Sequence, residues 1–240
     1  MGRQARRWGA GLSLLVVLGA GGCGTQTDGT GPSGTPAADG PSGSAASGAP
    51  GAPEATGTLP GMPTAQQARQ QLTTLKVAAH GSMSGYSRDR FPHWAEQGDD
   101  CNTRETVLAR DGKDVERDGE CRAVSGTWVS VYDDKKFTSA SGLDIDHTVP
   151  LANAWRSGAS KWTQEQRKAF ANDLTHPQLL SVSAGSNRSK GDQGPDEWQP
   201  PAKAYWCSYA RSWVSVKATY ALTVTEAEKT TLTEMLDTCS

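Results

Sequence analysis

Apolar positions follow a helical rhythm near the end of the chain and an extended one in its middle. Trp206, Tyr209, Trp213, Val216 and Tyr220 recur at intervals of three and four residues, which puts them on one helical face. A stripe at this spacing is first of all a core face, with base stacking as the alternative. Helix starts are marked where a hydroxyl or amide residue precedes Glu or Gln by three positions. Thr64 with Gln67, Asn102 with Glu105, Thr163 with Gln166 and Thr225 with Glu228 all fit. Between Val115 and Phe137 the pattern changes to short β-prone pieces such as Trp128-Val129-Ser130-Val131-Tyr132, punctuated by Gly119 and Gly126, which predicts a hairpin. Leu179 to Ser183 predicts a further strand, followed by the turn-rich Ala184-Gly185-Ser186.

Composition narrows where these elements fold. From Gly24 to Pro63, 34 of 40 residues are Gly, Pro, Ser, Ala or Thr, too few apolar groups to offset the entropy of ordering. Residues 24–63 are therefore expected to be a disordered tether, leaving one domain from Thr64 to Ser240. Ahead of it, Arg3, Arg6 and Arg7 precede the apolar run Leu12 to Leu18 and small residues ending at Cys23. That is the order of a secretory signal over residues 1–23, and the run is too short to span a bilayer. Ala20-Gly21-Gly22-Cys23 resembles a lipoprotein cleavage site with Ala where Leu is usual. The expectation is lipidation at Cys23 and anchoring to the outer face of a bacterial membrane, with plain secretion as the alternative.

The domain keeps Cys101, Cys121, Cys207 and Cys239. An even count in an exported domain reads as two disulfides, and of three connectivities the local pairs Cys101–Cys121 and Cys207–Cys239 are preferred. No Cys-x-x-Cys is present, which argues against a zinc ribbon or a thioredoxin-like site. The net charge of −2 and pI near 6.1 argue against a histone-like binder, so contact with phosphates needs a local patch. Residues 151–190 carry a local balance of +4 and residues 99–120 one of −4.

The segment with most chemistry is Gly142-Leu143-Asp144-Ile145-Asp146-His147-Thr148-Val149-Pro150-Leu151. In an extended strand Asp144 and Asp146 point one way and His147 the other. A turn at His147, ahead of Pro150, would bring Asp146 and His147 to one site. A strand, a loop with a helix, a second strand and a short helix beginning near Asn187 would then carry Asn187-Arg188-Ser189-Lys190-Gly191 to His147. No Gly-x-Ser-x-Gly elbow is present, which disfavours a serine hydrolase.

Asp-Ile-Asp-His-x-x-Pro-Leu followed by Asn-Arg-x-Lys-Gly resembles the HNH, or ββα-metal, nucleases. It is most similar to the C-terminal HNH domain of GmrSD-type restriction endonucleases and its secreted bacterial relatives. The motif covers residues 143–198; Arg90-Phe91-Pro92-His93-Trp94 and Cys101-Asn102-Thr103-Arg104-Glu105 also resemble the secreted subgroup. The resemblance implies an α+β domain: a ββα-metal core with flanking helices and a small hairpin. It implies His147 as general base, Asp146 and Asn187 as metal ligands, and Asp144 either near the metal or supporting its ligands. Asn172, with Asp173 and His176 close by, matches the middle asparagine that supports the loop between the strands. Arg104, Arg188 and Lys190 are expected at substrate phosphates. His93 and Trp94 are expected to pack under the hairpin, and His80 and His176 to be ordinary polar residues.

A neutral imidazole can accept a proton from water at physiological pH. One carboxylate and one amide oxygen form a weak, hard site that suits Mg²⁺, with Mn²⁺ or Ca²⁺ able to substitute. The expected function is an exported, monomeric, metal-dependent endonuclease acting on DNA, with RNA as the alternative, its membrane contact limited to a lipid anchor. The rivals are a non-catalytic metal-binding surface lipoprotein and a hydrolase of another phosphodiester, such as a cell-wall polymer.

Overall fold

A computed structural model describes residues 59–240. The signal, Cys23 and the expected tether up to residue 58 lie outside the described residues. The last residues of that tether, 59–63, belong to the folded part, since Leu59 packs on the core and the Pro63 carbonyl accepts from Arg211 Nε at 2.7 Å.

Three helices form one side. α1 (Ala65–Thr74), α6 (Trp206–Thr219) and α7 (Glu226–Leu236) pack pairwise around a large aromatic core. Capping boxes set the sequence-marked starts of α1 and α7: Thr64 and Thr225 each accept from a backbone N–H three residues on, while Gln67 and Glu228 reach back. The aromatic stripe is core, with Tyr209, Trp213 and Val216 fully buried and Trp206 and Tyr220 packed against them. A Cys207–Cys239 disulfide ties α6 to the residues after α7.

The other side is built on α2 (Thr103–Asp111). The pair β1 (Glu96–Gly98) and β2 (Cys101–Asn102) precedes it, and β3 (Lys113–Arg117), β4 (Ala123–Val129) and β5 (Lys136–Phe137) follow as an antiparallel sheet in that order. Asn102 caps α2 by accepting from Glu105 N, but the Glu105 carboxylate turns to Ala123 N, so this capping box is half made. A Cys101–Cys121 disulfide joins β2 to the β3–β4 turn. Trp128 fills the small core here and donates from Nε1 to the Leu108 carbonyl at 2.8 Å. Gly126, at φ 153°, passes so close to that indole that a Cβ would lie 2.6 Å from it. The expected hairpin is thus a three-stranded meander, and its Trp128 to Tyr132 piece breaks after Val129. A turn there, with Asp134 N donating to Ser130 O, sends Tyr132 into the main core.

Between the two cores runs the ββα unit. β6 (Leu143–His147) pairs antiparallel with β7 (Leu179–Ser183), Leu143 opposite Ser183 and His147 opposite Leu179. α3 (Leu151–Arg156) and α4 (Gln164–Ala171, capped by Thr163) lie in the connection, and α5 (Ala184–Lys190) follows β7 directly. Ala184-Gly185-Ser186 is therefore not a loop but the first turn of α5, because Ser183 Oγ accepts from Ser186 N as an N-cap. The chain also does not turn at His147. Thr148 N donates to Gln178 O at 2.7 Å and Val149 N to Gln178 Oε1 at 3.1 Å, so pairing continues to Pro150, where α3 begins.

Candidate active site

Strand alternation sorts the site. Leu143, Ile145 and His147 share the face of β6 that packs on α2, and Asp144 and Asp146 share the face that carries α5. On the α5 face the acids meet side chains three residues apart on the helix. Asn187 Nδ2 donates to Asp144 Oδ2 at 3.1 Å. One turn further on, Lys190 Nζ donates to both Asp146 oxygens at 3.0 and 2.8 Å and to the His147 carbonyl at 2.8 Å. The Tyr132 hydroxyl donates to Asp146 Oδ2 at 2.6 Å. Lys190 and Tyr132 are both wholly buried. Burial pushes the lysine below its ordinary pKa against the pull of Asp146, and burial and the Asp146 charge together push the tyrosine well up.

His147 lies on the opposite face, 6.0 Å from the Trp94 ring and at a tilt to it. Its Nε2 sits 2.9 Å from the Ala171 carbonyl. A carbonyl only accepts, so Nε2 carries the proton and Nδ1 is left as the basic nitrogen. Burial brings the pKa down to about 3, against the opposing effect of the carbonyl, with Arg88 adding to the depression. The ring is neutral at neutral pH with its Nδ1 lone pair available, and burial makes it a weaker base than an exposed imidazole.

Asn172 follows that carbonyl and is fully engaged. Its Oδ1 accepts from Ala95 N and Thr103 Oγ1, both at 2.8 Å, and its Nδ2 donates to Pro92 O at 2.7 Å and Lys168 O at 2.8 Å. The side chain thereby clamps α4, α2 and the Pro92–Ala95 segment around the peptide that holds His147. The neighbouring Asp173 and His176 bond instead to each other at 2.7 Å, and Asp173 accepts from Tyr220. Trp94, at φ 61°, packs on the smaller core as well as on His147, so its place under the sheet and its place at the site are the same.

A cavity of about 190 Å³ opens at the end of β6, lined among others by Asp146, His147, Asn187, Tyr86, Arg88 and Asp192. Three sequence-predicted residues, His147, Asp146 and Asn187, thus meet at one opening. Asp144 and Asn172 stand behind them. Arg188 is exposed on α5.

Two expected phosphate contacts are placed otherwise. Lys190 has no access to solvent and neutralises Asp146. Arg104 donates to the Leu143 carbonyl at 3.2 Å and tethers α2 to the start of β6. The basic segment 151–190 is a basic surface only in part, at the exposed Lys161, Lys168 and Arg188. Arg167 is buried and donates to the carbonyls of Arg90 and Trp162, while Arg156 pairs with Asp192 at 3.2 Å. The sequence reading also missed Tyr132, Tyr86, Arg88 and Asp192. Asp192 ends the Asn-Arg-Ser-Lys-Gly run and Arg88 lies two residues before Arg90-Phe91-Pro92-His93-Trp94, so proximity to a motif was the available signal.

The donors at the cavity fit a hard divalent ion. With Nδ2 given to Asp144, the Asn187 amide oxygen is left as an acceptor at the cavity that Asp146 also lines, and the Asp146 carboxylate keeps a lone pair beyond those Lys190 and Tyr132 use. Among the described residues no cluster of three or more His, Cys, Asp or Glu side chains converges. An ion held here would complete its shell with water and substrate oxygens, as Mg²⁺ does.

A buried histidine at the end of the first strand and an asparagine on the helix after the second define a domain of the HNH, ββα-metal type. Residues 105–235 match the family described as GmrSD restriction endonucleases, C-terminal domain, and the chain belongs to that family. It is also 55% identical over 182 residues to an uncharacterized secreted protein of Arthroderma benhamiae, which covers 76% of this chain and 89% of that protein. No solved structure matches the chain.

Proposed function

We propose that this protein is an exported endonuclease that hydrolyses phosphodiester bonds of DNA or RNA with one divalent ion, Mg²⁺ in the first place. The observation that carries the reading is His147 held through Nε2 by the Ala171 carbonyl at the same cavity as Asp146 and Asn187. Its Nδ1 takes a proton from the attacking water, a step worth roughly 10²- to 10⁴-fold in rate. Asp146 and Asn187 hold the ion; when bound, it supplies charge stabilisation to the phosphoryl and leaving oxygens. Lys190 and Tyr132 keep the Asp146 carboxylate in one orientation, and Asn172 keeps the Ala171 carbonyl in line with the imidazole. Export is supported by the secreted relative and by two disulfides, which persist in oxidising compartments. Lipidation at Cys23 and a monomeric state complete the reading.

The test is nicking of supercoiled plasmid by the oxidised full-length chain with Mg²⁺, Mn²⁺ or EDTA. Cleavage that needs metal and is lost in His147→Ala and Asn187→Ala is the expected result. Retained cleavage in His147→Ala would remove the general-base role. A folded protein that binds Mn²⁺ without cleaving any nucleic acid would point to the binding lipoprotein or to another phosphodiester.

A further inference from the structure

We propose that Arg88 is the substrate-binding cation of the cavity, holding a non-bridging phosphate oxygen of the nucleic acid at the mouth that His147, Asp146 and Asn187 share. The inference rests on the nuclease reading for the identity of the phosphodiester, but its physical basis is separate. The charges that line the cavity, apart from Arg88, are cancelled within the protein. Asp146 is neutralised by Lys190 at 2.8 Å, and Asp192 by Arg156 at 3.2 Å. Arg88 is exposed and has no ion pair or side-chain hydrogen bond among the described residues, so it leaves the opening with one uncompensated positive charge.

The other bases that sequence placed at phosphates are spent elsewhere or lie off the cavity. Lys190 is buried, Arg104 donates to carbonyls of Ala140 and Leu143, and Arg188 is not among the lining residues.

Arg88 is also mounted on a fixed base. It begins a short 3₁₀ turn, Arg88–Arg90, in which Phe91 N donates to the Arg88 carbonyl at 2.9 Å. Phe91 is fully buried against Tyr86, Trp155 and Phe170. The Arg90 guanidinium lies 5.8 Å over the Trp155 ring, and its carbonyl accepts from Arg167 Nε at 2.9 Å. The backbone of the turn is therefore fixed on three sides while the Arg88 side chain remains in water. A planar guanidinium so placed can take a phosphate through two parallel N–H bonds, and ordering it costs only its own rotamers.

The experiment compares Arg88→Gln, Arg88→Lys and, as a control, Lys161→Gln, an exposed residue that does not line the cavity. Binding of a fluorescent DNA duplex is read by anisotropy on the His147→Ala background over a KCl series, and KM and kcat are read with His147 intact. Arg88→Gln is expected to weaken binding by about tenfold and to lower the salt slope by about one counterion. KM rises by more than kcat falls, Arg88→Lys recovers part of the loss, and Lys161→Gln stays within about twofold of the parent. Unchanged affinity and slope in Arg88→Gln, or an equal loss in Lys161→Gln, overturns the proposal while leaving the nuclease reading intact if the parent cleaves. Weaker binding by Arg88→Gln in a parent that never cleaves keeps the phosphate contact and removes the nuclease. A parent that neither binds nor cleaves nucleic acid overturns both.

Discussion

Replacing Lys190 by methionine would remove the ammonium beneath Asp146 and leave a buried carboxylate with the Tyr132 hydroxyl as its remaining partner. Breaking a buried pair from one side costs about 3–5 kcal/mol, mostly as uncompensated charge. Lys190→Met is therefore expected to lower unfolding stability in urea by that amount, and Asp146→Asn on top of it to restore part. Equal stability of the parent and the single variant would show that Asp146 needs no cation from the protein. This is also where the sequence was least legible. His147, Asp146 and Asn187 could be found because each sits in a short motif whose spacing is local. The burial of Lys190 depends on a carboxylate 44 residues earlier in the chain, so beside Arg188 it looked like a second surface cation. Tyr132 was hidden for a related reason: an apolar alternation that reads as strand ends in a turn that points the ring inward.

Helix starts were legible because a cap and its partner lie within four residues. Thr64, Thr163 and Thr225 are complete boxes, and only Asn102 gives up half of its box to a neighbouring strand. The start of α5 was not legible, since Ala-Gly-Ser resembles a loop until Ser183 is seen to cap it. That start depends on Asp133, whose Oδ2 accepts from Ser183 Oγ at 2.7 Å and Ser186 Oγ at 2.9 Å and pairs with Lys135 at 3.0 Å. Burial alone would raise this carboxyl, but the neighbouring Ser130 hydroxyl and the hydrogen bonds from Ser183, Lys135 and Ser186 outweigh it and bring the pKa to about 2. A carboxyl titrating below its unfolded value of about 3.9 stabilises the fold fully above that pH, and the contribution disappears as pH falls from there through 2. The melting temperature of Asp133→Ala should accordingly lie below that of the parent at pH 6, with the gap closing between about pH 4 and pH 2. A gap that stays constant with pH would mean that the carboxylate charge does not hold α5 in place.

At the scale of the molecule, each disulfide closes a different half. Cys101–Cys121 belongs to the half built on α2, and Cys207–Cys239 to the layer of α1, α6 and α7. Loops of 20 and 32 residues correspond to roughly 3–4 kcal/mol each in the chain-entropy account. A Cys207→Ser, Cys239→Ser double variant should lose about 2–5 kcal/mol in urea unfolding, and an undiminished midpoint would show that helix packing alone holds this layer. The general architecture was legible from sequence, because a ββα order follows from two strand signals and a helix. The partition into two cores was not, since it arises from which face of β6 and β7 each distant helix covers. That partition bears on how the protein comes apart. All five residues of β7 are buried, its Leu180 and Val182 in one core and its Leu179 in the other. Arg110 and Asp111 close its outer edge by bonding the Leu179 carbonyl and the Ser181 amide. The strand paired with the one that carries Asp146 and His147 is thus shared by both halves and can open only when both do. Its amide protons should be among the last to exchange with solvent, and thermal inactivation should be an all-or-none event rather than a gradual fraying of the active site.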